Sequence, residues 1–152
     1  MSDVKIDGFD LKILRALQSD ARKSYRDIAN ELNVAVGTVY NRIKKLMDKG
    51  VLKGYTVVLD PSRLGYDLTA LILIQVDGAH LVEVENELAK FKDTVAVYDI
   101  TGEFDVAVIA KFKTRDALNK FVKNILKIPY IKRTSTSVVL NVVKEPPIQL
   151  SV

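Results

Sequence analysis

Residues 24–46, SYRDIANELNVAVGTVYNRIKKL, contain the local signals that decide how the first third of the chain folds. Ser24 and Asp27 have the spacing of a capping box, in which the hydroxyl accepts from the N–H of residue 27 and the carboxylate accepts from the N–H of residue 24. The short helix that follows would bury Ile28, Ala29 and Leu32. Asn33 tolerates the left-handed conformation of a tight turn, so the stretch predicts a short helix and then a sharp change of direction.

A third helix is predicted from about Val36 to Lys49, ending at Gly50. At about 100° per residue, its apolar side chains fall within one narrow sector: Val36, Val39, Ile43 and Leu46. The opposite side has hydroxyl, amide and cationic groups with no acid before Asp48, namely Thr38, Asn41 and Lys45, flanked by Arg42 and Lys44. The helix therefore has one face suited to burial and another whose chemistry suits a DNA groove.

A further helix precedes this pair, because Asp7 can cap a segment whose apolar residues share one face: Phe9, Ile13, Leu14 and Leu17. Three helices, of which the second is short and the third follows a tight turn, match the helix-turn-helix plan. In that plan the third helix enters the major groove. There Asn41 can bond adenine, and Arg42 or Lys45 can reach guanine or a phosphate.

Other residues on the polar side of the third helix also fit DNA contact, although a simpler interpretation is open. Thr38 can meet a thymine methyl or a phosphate, and Gly37 would let the backbone approach the duplex closely. The plainer interpretation is that Lys44, Lys45 and Lys49 only solvate a surface helix, since charge runs are commonly solubility devices. The three-helix pattern, the capping box and the acid-free face together favour DNA contact.

Beyond Gly50 the apolar residues alternate or form short runs, which is typical of strands. Val51–Leu59 is strand-like but interrupted by Gly54, and residues 60–66 form a turn or linker because Pro61 cannot sit inside a ladder. The later segments predict strand, helix, strand, strand, helix and strand: Leu68–Val76, Leu81–Phe91, Val95–Thr101, Phe104–Phe112, a helix starting at Thr114, and Ile131–Val143. This βαββαβ order predicts a ferredoxin-like domain, an α+β fold with both helices on one face of four antiparallel strands.

The first strand of that domain predicts self-association. It is apolar on both sides, with Leu71 and Leu73 on one face and Ala70, Ile72 and Ile74 on the other. Strands that are apolar on both faces require cover on both, and the helices supply only one. The sequence therefore predicts a homodimer in which the open faces of two sheets meet.

Composition excludes several kinds of chemistry. The 152 residues include no cysteine and one histidine, His80, which leaves no material for disulfides, thiolate metal sites or thiol catalysis. We expect His80 to be a surface residue rather than a metal ligand. The net charge is +4, of which +3 lies in residues 1–60 and +1 in residues 61–152. A mild basic excess points weakly to nucleic acid, and its position in the helical part strengthens the indication.

Residues 6–66 resemble the N-terminal half of the Lrp/AsnC (leucine-responsive and asparagine-regulator) family of transcription factors. The matching positions are DLKIL at 10–14, LQSDAR at 17–22, IA-x-EL at 28–32, TV-x-x-RIK-x-L at 38–46, GVL-x-GY at 50–55 and LDP-x-x-LG at 59–65. The second half resembles the family's amino-acid-responsive domain. The resemblance implies a winged helix-turn-helix, dimers that assemble into octamers of four dimers, and double-stranded DNA as a partner. Taken together, the pattern and the resemblance make Ser24, Tyr25, Gly37, Thr38, Asn41, Arg42, Lys44 and Lys45 the candidate DNA-contacting residues.

Two segments of the second half could hold a small effector. In Tyr98–Asp105 (YDITGEFD), Gly102 permits a tight turn, and Glu103 and Asp105 place two carboxylates beside it. Arg133–Ser137 (RTSTS) supplies hydroxyl groups, so together the segments offer partners for the ammonium and carboxylate of an amino acid. The alternative is an ordinary hairpin turn beside an ordinary strand. The resemblance implies effector binding near these segments, for which the candidates are Tyr98, Gly102, Glu103, Phe104, Asp105, Thr134, Ser135 and Thr136.

The sequence thus predicts four parts: a helix-turn-helix domain at 1–52, a strand and hinge linker at 53–66, a ferredoxin-like effector-binding and oligomerisation domain at 67–144, and a tail at 145–152. The predicted function is that of a DNA-binding transcriptional regulator controlled by a small molecule such as an amino acid. The alternative is a ligand-sensing or assembly protein whose helical domain binds protein. We expect no enzymatic activity, cofactor, metal or membrane partner. The polar start of the chain and its short apolar runs predict a cytoplasmic protein.

Overall fold

The computed structural model describes residues 5–147, and the chain divides into two compact units between Val57 and Val58. Among the described residues, the first unit contains helices α1 (Gly8–Ser19), α2 (Tyr25–Leu32) and α3 (Val36–Asp48). The second contains β1 (Leu68–Val76), α4 (Leu81–Ala89), β2 (Thr94–Asp99), β3 (Val106–Phe112), α5 (Arg115–Ile125) and β4 (Ile131–Val138). Over residues 5–147, none of the helices has the length and hydropathy needed to cross a membrane.

The predicted caps form at the starts of α1 and α2. Asp7 Oδ1 accepts from the N–H of Asp10 at 2.8 Å, and Asp10 Oδ2 accepts from the N–H of Asp7 at 3.1 Å. Ser24 Oγ accepts from the N–H of Asp27 at 3.1 Å, and Asp27 Oδ2 accepts from the N–H of Ser24 at 3.0 Å. Asn33 ends α2 with a φ of 54°, which is the predicted left-handed conformation. Local signals in the sequence therefore fix where these two helices begin and where α2 turns.

The three helices pack around one apolar core, formed by Ile13, Ala16, Leu17, Ile28, Ala29, Val39 and Ile43. The prediction for Val36 is wrong: its side chain is 43% exposed, although the helical wheel groups it with Val39 and Ile43. Val36 is the first residue of α3, and the core-facing side of the helix is buried only from Val39 onward.

The predicted strand at Val51–Leu59 is also wrong. These described residues form an extended loop in which Gly54 has a φ of 155°, and Val57 and Val58 are largely exposed. A strand exists through the ladder of hydrogen bonds to a neighbouring strand, and this segment has no such neighbour within residues 5–147. Alternating apolar residues are therefore insufficient to make a strand here.

The second unit has the predicted βαββαβ order. Its strands form one antiparallel sheet in the order β2-β3-β1-β4, with Ile72 of β1 opposite both Val108 of β3 and Thr136 of β4. β4 ends at Val138 rather than at the predicted Val143. Beyond Val138 the chain makes one more hydrogen bond to β1, from Val139 N–H to the Thr69 carbonyl at 2.8 Å, and then leaves the strand direction.

The two faces of the sheet differ as predicted. On the helical side, residues of β1 are buried against α4 and α5: Ala70, Ile72, Ile74 and Val76, with Val84, Leu88, Phe121 and Ile125. On the other side, Leu71 and Leu73 remain half-buried. The helices therefore leave one apolar sheet face without helical cover.

One end of that open face holds a buried charge. The Lys111 side chain of β3 is only 3% exposed, and its ammonium lies 2.9 Å from Thr69 Oγ1 and 3.0 Å from Glu145 Oε2. A buried ammonium requires a carboxylate and full hydrogen bonding, and Glu145 supplies the charge from the chain after β4. This ion pair fastens the segment after β4 across the end of the sheet.

Candidate DNA-binding surface and effector pocket

The exposed side of α3 presents the predicted polar groups. Gly37, Thr38, Asn41 and Lys44 are exposed, and Lys45 is half-buried. The opposite side is held in the core by Val39, Ile43 and Leu46, each at most 1% exposed. The core therefore fixes which side of α3 faces outward, and that side has amide, hydroxyl and ammonium groups.

The start of α3 is also open to an approaching backbone. Its N-cap is Ala35, and over the described residues no side chain caps this end, in contrast to α1 and α2. A Cβ atom built on Gly37 would meet no atom within 4 Å, so internal packing does not require a glycine there. Uncapped N–H groups at a helix start favour phosphate, and the absent side chain leaves room for it.

Arg42 is directed away from this open side and toward α1. Its guanidinium pairs with the carboxylate of Asp7, lies 3.1 Å from Asp10 Oδ1, and is 5.5 Å above the ring of Phe9. The carboxylate of Asp10 is fully buried. The hydrogen bond from Arg42, with further hydrogen bonds from the backbone, lowers the pKa of Asp7 to about 2. Arg42 thus fastens α3 to the start of α1, and its predicted DNA contact stays a prediction with this competing role.

The start of α2 lies beside α3 on the side of Tyr40, away from Arg42. Ser24 has its hydroxyl engaged in the capping box, with Oγ donating to Asp27 Oδ2 at 2.6 Å. Tyr25 packs against Tyr40 of α3, with ring centroids 6.1 Å apart and planes tilted by 59°. Sequence reasoning named Tyr25 but missed Tyr40, because the contact joins residues 15 positions apart on different helices.

Four of the predicted effector residues lie together at one cavity of about 410 Å³. Glu103, Phe104, Thr134 and Ser135 line it, together with Arg133. The guanidinium of Arg133 pairs with the Glu103 carboxylate and lies 4.9 Å from the centre of the Phe104 ring. Arg133 was absent from the predicted set, although it begins the RTSTS segment that drew attention to this strand. The cavity therefore presents a cation, a carboxylate and two hydroxyls on an aromatic base.

The other predicted effector residues do not line that cavity. Gly102 has a φ of 124° in the turn, as its predicted role requires. Asp105 is engaged with β1, since its Oδ2 accepts from the N–H of Val76 at 2.8 Å and its own N–H donates to the Ile74 carbonyl at 3.0 Å. Tyr98 is exposed on β2, and Thr136 is exposed on β4. Asp105 thus holds the turn in place, which leaves Glu103 as the carboxylate at the cavity.

His80 lies at the surface of the second unit. Its ring stacks on Tyr130 with centroids 3.5 Å apart, and its Nδ1 is 3.2 Å from Glu83 Oε2. Within residues 5–147, no group of three or more histidine, cysteine or acidic side chains is placed to hold a metal ion.

Comparison with known proteins assigns both units. The family model for the Lrp/AsnC ligand binding domain matches residues 69–148, and the model for winged helix-turn-helix DNA-binding matches residues 6–53. A relative described as an uncharacterized HTH-type transcriptional regulator, from Pyrococcus horikoshii, is 52% identical over 142 residues, which cover 93% of this chain and 96% of the relative. The HTH-type transcriptional regulator FL11 of the same species is 38% identical over 142 residues, covering 93% and 94%.

Solved structures agree with this assignment. Escherichia coli AsnC has a TM-score of 0.86 and 28% identity, covering 93% of this chain and 97% of AsnC. The transcriptional regulator NMB0573 of Neisseria meningitidis, solved in complex with L-methionine, has a TM-score of 0.83 and 25% identity, covering 93% and 94%. The predicted family and fold class are therefore confirmed. The chain belongs to the Lrp/AsnC family and is a DNA-binding transcriptional regulator with a winged helix-turn-helix domain and a ligand-binding domain.

Proposed function

We propose that a dimer of this regulator places two copies of α3 in the major groove of double-stranded DNA and reads sequence there. The single observation that carries the proposal is the open side of α3, where Gly37, Thr38, Asn41 and Lys44 are exposed and no acid lies before Asp48. Asn41 bonds an adenine edge, and Lys44 and Lys45 contact phosphate or guanine. The two half-sites are centred about 34–36 Å apart, or at a multiple of that distance.

We further propose that the ligand is a free amino acid bound at the Arg133–Glu103 cavity. Arg133 and Glu103 pair with each other in this structure. The two charges of a zwitterion can take the place of that pairing, with the ligand's carboxylate bound to Arg133 and its ammonium bound to Glu103. The relative from Neisseria was solved with L-methionine, which supports this class of ligand. The ligand acts by binding one assembly state better than another, because equal affinity for both would shift nothing.

The dimer forms through the open face of the sheet, where Leu71 and Leu73 are half-buried in a single chain. Burying an apolar sheet face against a second copy removes this area from water and favours association. Four such dimers assemble into the octamer that the family resemblance implies. We also propose that the protein works in the cytoplasm, as its sequence predicts.

The DNA contact is tested with a duplex selected from a random pool by the wild-type protein. Asn41→Ala removes a bidentate base contact, so we expect its affinity for the selected duplex to fall about tenfold or more. Its affinity for a scrambled duplex should change little. Asn119→Ala, an exposed asparagine of α5, is the matched control and should bind like the wild type. Equal affinities of Asn41→Ala and wild type for the selected duplex would refute this role of α3.

The ligand is tested by calorimetric titration of the full chain with each of the twenty amino acids. We expect one group of related amino acids to bind, and Arg133→Ala to weaken that binding about tenfold or more because a charge-assisted hydrogen bond is lost. Arg115→Ala, an exposed arginine in the same unit, is the control. Undiminished binding by Arg133→Ala would place the ligand elsewhere.

A further inference from the structure

Three tyrosines of the first unit, Tyr25, Tyr40 and Tyr55, form a group that we call the tyrosine cluster. Tyr25 is the first residue of α2, and its ring contacts that of Tyr40 at 6.1 Å between centroids. Burial raises the pKa of the Tyr55 phenol, and the electrostatic influence of neighbouring Tyr25 raises it further. The cluster therefore joins three separate parts of the unit: the start of α2, the middle of α3 and the extended loop that follows α3.

The cluster lies on the flank of α3 that Arg42 does not occupy. Tyr40 and Arg42 are two positions apart, which is about 200° around the helix axis. Arg42 fastens its own flank to α1 through Asp7 and Asp10, whereas Tyr40 meets the start of α2. The open side of α3 between these flanks is the side that enters DNA in the proposed function.

Two of the three tyrosine rings are well exposed. Tyr40 is 50% exposed and Tyr55 is 48% exposed, so neither ring is explained by burial in the core. Tyr25, at the start of α2, is half-buried, and a phenol hydroxyl can donate a hydrogen bond to an external acceptor. In helix-turn-helix complexes the helix before the recognition helix crosses the DNA backbone, and α2 is that helix here.

On these grounds we propose that the tyrosine cluster is an uncharged phosphate-binding wall, in which Tyr25 and Tyr40 donate hydrogen bonds to the DNA backbone beside the groove that α3 enters. The inference rests on the proposed function and adds to it a neutral set of contacts beside the lysines. Tyrosine hydroxyls are established donors to phosphate oxygens in protein–DNA complexes.

The lack of charge gives the wall a signature that separates it from the lysines. A lysine that neutralises a phosphate releases counterions, so each contributes about −0.9 to the slope of log K against log salt. A phenol that donates to a phosphate releases none. The wall therefore contributes affinity that does not depend on salt, and because it contacts no base, it contributes equally on every sequence.

The test measures affinity at several salt concentrations for Tyr40→Phe and Tyr25→Phe, on the selected duplex and on a scrambled one. Phenylalanine keeps the ring and removes only the hydroxyl. We expect each variant to lose about three- to tenfold in affinity, the value of a neutral hydrogen bond, on both duplexes and with an unchanged salt slope. Lys44→Ala should instead make the slope shallower by about 0.9. Tyr130→Phe, whose phenol lies in the second unit against His80, should match the wild type.

Three results would overturn the wall. Unchanged affinity of both variants would show that the hydroxyls contact nothing. A loss confined to the selected duplex would make them base contacts, and a shallower salt slope would show that charge was lost with them. If the wild-type protein itself binds no duplex, the proposed function fails and the wall falls with it, which is a distinct outcome from wild-type binding that Tyr40→Phe and Tyr25→Phe both retain.

Discussion

At the scale of single residues, Asp7, Asp10 and Arg42 show what a sequence reveals and what it conceals. Asp7 was predicted as a helix cap, because a cap and the N–H groups it satisfies lie within three residues. The partner of Arg42 was not, because Asp7 and Asp10 are 35 and 32 positions away and meet it only once α1 packs on α3. For the same reason Tyr25 was among the predicted residues, but its contact with Tyr40 was not predicted.

The Arg42–Asp7 pair predicts a stability change in acid. The folded pKa of Asp7 is about 2, below its ordinary value of 3.8, so its charged form contributes stability above pH 3.8 that is lost as the pH falls toward 2. Asp7→Asn keeps a good helix cap but removes the charge. The difference in melting temperature between wild type and Asp7→Asn should therefore be full above pH 4 and shrink between pH 4 and pH 2. A difference that is constant across this range would contradict the ion pair.

At the scale of elements, α3 and β4 owe their final form to their neighbours. The wheel placed Asn41 and Lys45 on the open side, because the 3.6-residue period is local. It failed at Val36, because the buried side of α3 begins only at Val39. The strand predicted at Val51–Leu59 failed because a ladder needs a partner, and β4 stopped short of Val143 where the chain leaves the edge of β1. Hydrophobic periodicity alone cannot show where the adjacent strand or core ends.

Gly37→Ala separates the stability of α3 from its function. No atom lies within 4 Å of a Cβ at this position, and alanine favours a helix over glycine, so the free energy of unfolding should rise by about 0.5 kcal/mol. DNA affinity should fall, because the added methyl lies where the backbone approaches the duplex. Denaturant unfolding and affinity measured on the same preparation check both. Loss of stability together with affinity would show that the effect is one of folding.

The buried ion pair of the sheet predicts an asymmetry between its partners. Glu145→Gln leaves the Lys111 ammonium, 3% exposed, without its counter-charge and should lower the free energy of unfolding by about 2 kcal/mol. Lys111→Met leaves the Glu145 carboxylate unpaired, but that carboxylate is 22% exposed and can reach water, so Lys111→Met should lower the free energy of unfolding by less than Glu145→Gln does. Urea unfolding of both variants and of the double variant measures this. A larger loss in Lys111→Met than in Glu145→Gln would contradict the assignment.

At the scale of the whole molecule, the two units differ in the surfaces that they leave exposed, and these surfaces suit different partners. The helical unit exposes the polar side of α3, and the sheet unit exposes one apolar face and the Arg133–Glu103 cavity. The sequence predicted the fold of both units, because hydrophobic periodicity and helix caps are signals that lie within a few neighbouring residues. It pointed to the two segments that line the cavity but not to the Arg133–Glu103 pair, which joins residues 30 positions apart on different elements.

The open sheet face predicts how the molecule assembles. Leu73→Arg places a charge on that face, so the protein should become monomeric by light scattering and lose most of its affinity for a two-half-site duplex. Val82→Arg, at a position 68% exposed on α4, is the control and should leave both properties unchanged. A Leu73→Arg protein with the wild-type mass would show that another surface holds the copies together.

Dimethyl sulfate protection of the selected duplex measures whether the open side of α3 lies in the major groove. This reagent methylates guanine N7, which lies in the major groove. The wild-type protein should protect guanines in two clusters about one helical turn apart, or a multiple of that, and Asn41→Ala should reduce the protection of both. If the duplex is tightly bound and all its guanine N7 atoms stay reactive, α3 does not enter the major groove.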